Sequence, residues 1–405
     1  MPRHIPLCAL LTCLGMGVSA IASATCYLDG GVHPTKPRIE AAMAEGGIVG
    51  AGAAVILDGQ LVWRTGFGFA DRESGRPFRF DTVMNIGSIS KTITGAAMMR
   101  AVEQGHLSLD ADIDTVLPFA VDNPHRPGAP ITLRQLATHT SGLTDRWPVY
   151  AATYHFGRDA PQSLGDFLAG YLVPGGADYA PDNFLDVAPG THRDYSNIGA
   201  GLAAYAVERA TGQTLDVYTR AQFFEPLGMR NTRWHLADGA SAQDATLYVS
   251  QDGIAMPIQP YALTTWPDGG LRTSVNDLGK FFAALLSGGA GNGTRVLQRA
   301  SVDEMLRLQF TADTAPDNMD VTEKNSGLFW QTMFNTRYVG HGGSDPGVKT
   351  EMLATRDHRL GVILFTNTSG EDTVKAHNEI LQAVFAHAEL MRDFDPTTCK
   401  TQLID

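Results

Sequence analysis

Apolar and polar positions along this chain change rhythm twice, which predicts sheet at both ends and helices between them. Residues 53–57 and 61–67 are short apolar-rich runs joined by Asp58-Gly59, a strong hairpin-turn pair. Ahead of them, residues 37–45 read as a short helix with Pro37 in its first turn and Gly46-Gly47 as its stop. A helical period then takes over. It predicts a helix from Ser88 to about Gln104, closed by Gly105, and another opened by the capping-box sequence Thr132-Leu133-Arg134-Gln135 and ending near Ser141-Gly142. A third, over residues 197–211, carries Ile198, Leu202, Tyr205 and Ala206 at helical spacing and stops at Gly212. Further helices are expected to begin at Ser274 and at Ser301, where Ser301-Val302-Asp303-Glu304 has capping-box form.

Extended character returns late. Residues 328–332 and 337–339 look like strands, and residues 348–355 and 360–366 flank the polar turn 356–359 as a hairpin. The last element is a helix over about residues 373–391, whose apolar stripe includes Val374, Leu381, Val384, Phe385, Ala388 and Met391. The expected fold class is α/β (α+β): a largely antiparallel sheet built from both ends of the chain, flanked by helices, with an inserted helical lobe. The sheet lobe is placed at about 25–87 and 290–405 and the helical lobe at about 88–289, forming one catalytic-size unit. Residues 146–190, rich in Gly, Pro, Asp and aromatics, follow no period; they fit an active-site wall or an inert surface excursion about equally.

Composition narrows the class. The 405 residues include 43% hydrophobic and 8% aromatic residues, which supports a sizeable core. The net charge of −12 and the lack of a basic run argue against a nucleic-acid or anionic-membrane partner. Residues 1–24 read as an export signal: Arg3, an apolar stretch from Leu7 to Ala22, and an Ala22-Ser23-Ala24 cleavage site. The mature chain is therefore expected in a periplasm or outside the cell, with no membrane span after signal removal. Two of the four cysteines leave with the signal, and the remaining Cys26 and Cys399 are a candidate disulfide joining the two termini.

The candidate chemistry starts at Ser88. It is the only Ser in the chain followed by Lys three residues later, and residues at that spacing share a helix face. Burial that kept the Lys91 amine neutral would let it take the serine proton. The motif alone is weak, since about one or two such pairs arise by chance in a chain of this length. A second element, Tyr195-Ser196-Asn197, enters the helix at 197 with a phenol able to share a proton and an amide able to hold a carbonyl or a lysine. By itself a buried Tyr before a capping Asn explains it equally well. A third, His341-Gly342-Gly343-Ser344, precedes the strand at 348, and its paired glycines allow close approach of backbone amides to a ligand. An amide there and that of Ser88 make a candidate oxyanion hole.

In this order and spacing the three elements resemble the serine β-lactamase and penicillin-recognising superfamily, in its class C branch with esterases and D-amino-acid peptidases. Residues 131–143, Pro226-Leu227-Gly228-Met229 and residues 269–274 add lesser landmarks, and the resemblance spans about residues 37–391. It implies Ser88 as the acylated nucleophile and Lys91 with Tyr195 as the proton-transfer pair. Asn197 would orient Lys91 and the substrate, while Gly342, Gly343 and Ser344 would carry the oxyanion strand. His341 would face the leaving group, where β-lactamases of this family place a charged lysine. None of the Lys-Thr pairs, at 91, 349 and 400, is followed by Gly. A histidine there is mostly uncharged at neutral pH, which favours ester or amide substrates over β-lactams. The resemblance implies no cofactor, and small esters, amides or β-lactams as substrates. The rival reading is an acyl-binding sensor that deacylates too slowly to turn over. Gly-x-Ser-x-Gly, His-Glu-x-x-His and phosphate-loop sequences are all absent.

Overall fold

A computed structural model of the chain describes residues 35–239 and 244–393. Residues 1–24, read above as an export signal, and Cys26 and Cys399 lie outside the described residues. The helix α1 (Thr35–Glu45) leads into strands β1 (Gly50–Leu57) and β2 (Gln60–Asp71), which are joined by Asp58-Gly59 with both residues at positive φ, as the hairpin pair requires. A short β3 (Arg76–Pro77) pairs with β2. The remaining strands come from the far end of the chain: β4 (Gln331–Met333), β5 (Tyr338–Asp345), β6 (Val348–Thr355) and β7 (Leu360–Thr366). Their spatial order is β4-β5-β6-β7-β1-β2-β3, and each pairing is antiparallel.

The two ends of the chain meet in the middle of this sheet, where β1 pairs with β7 from Ala51↔Thr366 to Leu57↔Leu360. Strand β1 is Gly-Ala-Gly-Ala-Ala-Val-Ile-Leu and is buried on both faces, so it shows no apolar alternation to mark where it begins. Its Ala51, Ala53 and Val55 pack under α1 and the terminal helix α7 (Val374–Asp393). Ala54 and Ile56 face the other way, into the large core shared with the helical part of the molecule.

That core is centred on α2 (Ser90–Glu103), which is buried over most of its surface. It crosses α5 (Asn197–Thr211), and α3 (Leu133–Ala137) also packs on α5. The capping box at Thr132 and Gln135 is formed, but the helix it opens ends at Ala137, because His139 turns to a φ of +60° two residues later. The capping box expected at Ser301 is not formed. Its helix starts earlier, at Arg299 after Gln298, and Ser301 lies inside it. Helix α6 (Val275–Leu286), capped by Ser274, lies against β1, β2 and β7, so the cover of the sheet is drawn from before residue 290.

Residues 146–190 are structured. They hold a helical turn at Trp147–Ala151, a strand Tyr154–Phe156 paired with Tyr261–Leu263, and the helix α4 (Leu164–Leu172). Residues 328–330 are not strand: Phe329 sits at a φ of +56°, and β4 begins only at Gln331.

Candidate active site

Ser88 sits in a single 3₁₀ turn, Gly87–Ile89, that runs into α2, two residues before the first residue of the regular helix, which the spacing had placed at Ser88 itself. The turn is clamped from three sides. Ser90 Oγ donates to Gly87 O at 2.7 Å and accepts from Leu271 N at 3.1 Å. Ile86 N donates to Leu271 O at 3.0 Å, and Thr350 Oγ1 of β6 donates to Ile86 O at 2.8 Å. Gly87 adopts a φ of +54° with β5 packed so close that a Cβ would lie 3.1 Å from Ser344 N. The Ser88 turn and the backbone of Ser344 are therefore neighbours, as an oxyanion pocket made of the Ser88 and Ser344 amides would require.

Lys91, fully buried on the next turn, donates from Nζ to Ser88 Oγ at 3.2 Å, Asn197 Oδ1 at 2.6 Å and Asp268 O at 2.8 Å. All three donors are thus directed, and the amine is held facing the nucleophile. Burial alone would push its pKa down, but the nearby Tyr195 hydroxyl and the carboxylates of Asp268 and Asp145 outweigh burial and hold it above the ordinary lysine value. The expectation of a lysine neutralised by burial is therefore corrected: the site favours an ammonium.

The Tyr195 ring centroid lies 4.9 Å from Lys91 Nζ, and its buried hydroxyl has no ordinary hydrogen-bond partner. His139 stacks against that ring at 4.3 Å, and its Nδ1 accepts from Ser196 N at 3.2 Å. Burial, with Arg193 and Lys91 nearby, holds the His139 pKa well below the usual histidine range, so it stays neutral and acts as a shaped support.

Asn197 is fixed by a residue that the sequence pattern did not mark. Both carboxylate oxygens of Asp145 cap the start of α5: Oδ2 accepts from Asn197 N at 2.7 Å, and Oδ1 accepts from Ile198 N at 3.1 Å and Ser196 Oγ at 2.8 Å. An anion at a helix N-terminus satisfies amides that have no partner within the helix and suits the helix dipole. Asp145 lies some fifty residues upstream in an aperiodic loop, so nothing local signals it.

His341, Gly342, Gly343 and Ser344 belong to β5 itself. Beyond Gly340, where β4 stops pairing, this strand has a free edge. His341 is buried, with its ring centroid 6.2 Å from that of Tyr195 and its Nδ1 2.7 Å from Gly342 O. Burial, then the charge of Lys91, push its pKa down to about 3, so it is neutral at physiological pH.

Ser88, Tyr195, Asn197 and residues 341–344 line a cleft of about 640 Å³, with Lys91, His139 and Asp145 behind them. Trp147, Tyr150, Tyr154 and Phe156 form its far wall, which gives residues 146–190 the wall role. Tyr150 OH donates to Asp268 Oδ1 at 2.9 Å and Tyr154 OH to Asp345 Oδ1 at 2.5 Å. Burial raises the Asp268 pKa to about 7 and that of Asp345 to about 6. Among the described residues no cluster of metal-ligand type occurs.

Residues 36–386 match the Beta-lactamase family. The chain belongs to that family. Among its relatives, the esterase EstB of Burkholderia gladioli is 36% identical over 191 residues, which cover 47% of this chain and 48% of EstB. A D-aminopeptidase of Cereibacter sphaeroides is 26% identical over 84% of this chain and 60% of its own length. The match thus spans about half to three fifths of these relatives. The D-amino acid amidase of Ochrobactrum anthropi shares the fold with a TM-score of 0.67 at 20% identity, over 89% of this chain and all of that one. EstCE1, a hydrolase with promiscuous acyltransferase activity, does so with a TM-score of 0.68 at 20% identity, over 91% of this chain and 100% of that one. The cleft described above is lined both from the sheet, by residues 341–346, and from the helical part of the molecule, by Ser88, Tyr195 and Asn197.

Proposed function

We propose that this protein is an exported serine hydrolase that cleaves small esters or amides through an acyl-enzyme intermediate on Ser88. The observation that carries the reading is the contact of Lys91 Nζ with Ser88 Oγ, made by an amine that also binds Asn197 and lies beside Tyr195. Ser88 Oγ attacks the substrate carbonyl. Lys91 and Tyr195 act as one unit that enters the step one proton short of ammonium plus phenol; the pair takes the serine proton and passes it to the leaving alcohol or amine. The Ser88 and Ser344 amides receive the oxyanion. Water activated by the same Tyr195–Lys91 pair then releases the acid. These groups titrate as a unit, so the pair, and not one member, sets the pH profile.

Ester or amide substrates are favoured over β-lactams by His341. Its neutral ring offers no fixed positive charge for the carboxylate of a β-lactam. The esterase and D-aminopeptidase among the relatives agree with this choice. The reading includes removal of residues 1–24 and a Cys26–Cys399 disulfide in the exported chain.

The deciding experiment assays purified mature protein on p-nitrophenyl butyrate, D-alanyl-p-nitroanilide and nitrocefin, with Ser88→Ala alongside. Steady turnover of the ester or D-amide, lost in Ser88→Ala, bears the reading out. Dominant nitrocefin turnover would move the protein to the β-lactamases. A burst of one equivalent followed by no turnover would make it an acyl-binding sensor.

A further inference from the structure

The cleft holds an acid that the reaction leaves unused. Successive residues of β5 alternate between faces, so His341, Gly343 and Asp345 share one. Gly343 packs on Ile86 O, so this is the face that meets the Ser88 turn. The Asp345 carboxyl reaches that turn directly: Oδ2 lies 3.2 Å from where a Cβ on Gly87 would stand and 3.4 Å from one on Gly269. Its Oδ1 accepts from Tyr154 OH, whereas Oδ2 has no hydrogen bond among the described residues. Asp345 is partly exposed and lines the cleft. With its pKa raised only to about 6, it is mostly ionised at neutral pH. The opposite charge it feels is Lys91, whose three donors are already taken.

An aromatic wall stands over the same end of the cleft. Tyr154, bonded to Asp345, has its ring centroid 5.5 Å from that of Tyr261 and 6.0 Å from that of Tyr150, and Tyr261 OH donates to Pro346 O at 3.1 Å. Phe156 and Trp147 extend the run, at 5.5 Å from Tyr261 and 6.2 Å from Tyr150. Both line the cleft with much ring surface open, 48% and 69% exposed. The hydroxyls of Tyr150 and Tyr154 are committed to Asp268 and Asp345, so the wall offers ring faces rather than hydrogen bonds. Position along β5 sets which part of a substrate arrives here. In the proposed reaction the carbonyl oxygen lies at the amides of Ser88 and Ser344, and the leaving group lies toward Tyr195 and its neighbour His341. The acyl chain then runs the other way, to Asp345.

We infer that Asp345 and the aromatic wall form an acyl-group subsite for an alkylated ammonium, so that the preferred substrates are esters or amides whose acyl chain carries such a cation. This rests on the hydrolase reading of Ser88. The carboxylate supplies the opposite charge, and the negative faces of the rings attract a cation laid against them. An alkylated ammonium suits this wall better than a primary one, whose three N–H groups would each need an acceptor. Asp345 meets the substrate away from the reacting atoms, and its effect is on selectivity.

The test compares three series of p-nitrophenyl esters on the mature enzyme, with acyl chains ending in trimethylammonio, ammonio or uncharged tert-butyl groups. Spacers run from two to six methylenes, and the ammonio series omits three and four, where it would cyclise. Each kcat/KM is divided by the hydroxide rate constant of the same ester, which removes the inductive effect of the charge. The expected ratio, trimethylammonio over tert-butyl, is about tenfold or more at the best spacer, with the ammonio series between them. That ratio is expected to fall to near one in Asp345→Asn. Trp147→Ala, at an exposed position, is expected to lower it about threefold or more and serves where Asp345→Asn does not fold. Equal turnover of the trimethylammonio and tert-butyl series, faster turnover of the ammonio series, or a preference unchanged in either folded variant overturns the inference and leaves the hydrolase reading standing. So does turnover of p-nitrophenyl butyrate with none of the three series. Turnover of none of these esters removes both.

Discussion

At the scale of single residues, function here depends on groups held against their intrinsic preferences. Lys91 is a buried cation kept charged by its neighbours, and Asn197 is placed by Asp145 more than by its own helix. Asp145→Ala leaves Asn197 N and Ile198 N without their acceptor. The expected cost is about 1–3 kcal/mol of stability, read by thermal or urea unfolding. The expected loss of kcat exceeds what that stability loss explains, because Asn197 Oδ1 no longer holds Lys91 in place. Normal kcat in a folded Asp145→Ala protein would show that Asn197 positions itself. His341→Lys is expected to bring little β-lactamase activity: a second amine would be buried near Lys91 and Arg193, which already depress the histidine. A lowered Tm with nitrocefin turnover unchanged is the expected outcome.

At the scale of elements, the site is a joint between the turn at Gly87–Ile89 and the free edge of β5. Gly343 is the tightest point of that joint, since a Cβ would lie 2.1 Å from Ile86 O and 2.4 Å from Thr350 Oγ1. Gly343→Ala must push β5 away from the nucleophile turn and carry the Ser344 amide with it. A fall in kcat of roughly 10²-fold or more is expected, the scale of losing one oxyanion donor, and steady-state kinetics on p-nitrophenyl butyrate would measure it. Sequence showed both halves of this joint, because Ser88-x-x-Lys91, Tyr195-x-Asn197 and His341-Gly342-Gly343 each carry a local pattern. It did not show what braces them. Asp145, His139 and Asp268 act through contacts across 50 residues or more of chain, and no short window holds both partners. Element boundaries slipped for equally physical reasons. β1 begins at Gly50 because small residues buried on both faces leave no alternation, and the Ser301 sequence did not cap because the helix had already started at Arg299.

At the scale of the whole molecule, the cleft collects carboxyls that the fold buries. Asp345 and Glu351 have folded-state pKa values raised to about 6 and about 7, above their ordinary values of 3.8 and 4.5. A carboxyl raised in this way binds a proton more tightly folded than unfolded. Its contribution is therefore best at low pH and is lost as pH climbs from the ordinary value through the raised one. Between about pH 4.5 and 7 these two groups make the protein less stable as pH rises. Glu351→Gln should match the wild type in Tm near pH 4.5 and exceed it near pH 8, by an amount on the order of 1–3 kcal/mol. Equal melting temperatures at pH 8 would show that the carboxyl is relieved by some other group.

The pairing of β1 with β7 also sets the order in which a working enzyme can come into being. Ser88 and Lys91 lie in the first quarter of the chain, yet the amide of Ser344 and the strand that closes the sheet around β1 come from its last fifth. A chain emerging from its N-terminus carries Ser88 long before it can form an oxyanion pocket, and the edge of β1 that pairs with β7 waits for its partner. The half-made protein thus has no Ser344 amide with which to complete an oxyanion pocket. Cutting the chain within residues 311–323 would separate the nucleophile from its oxyanion strand, giving two fragments that are each inert and regain activity only by pairing β1 with β7.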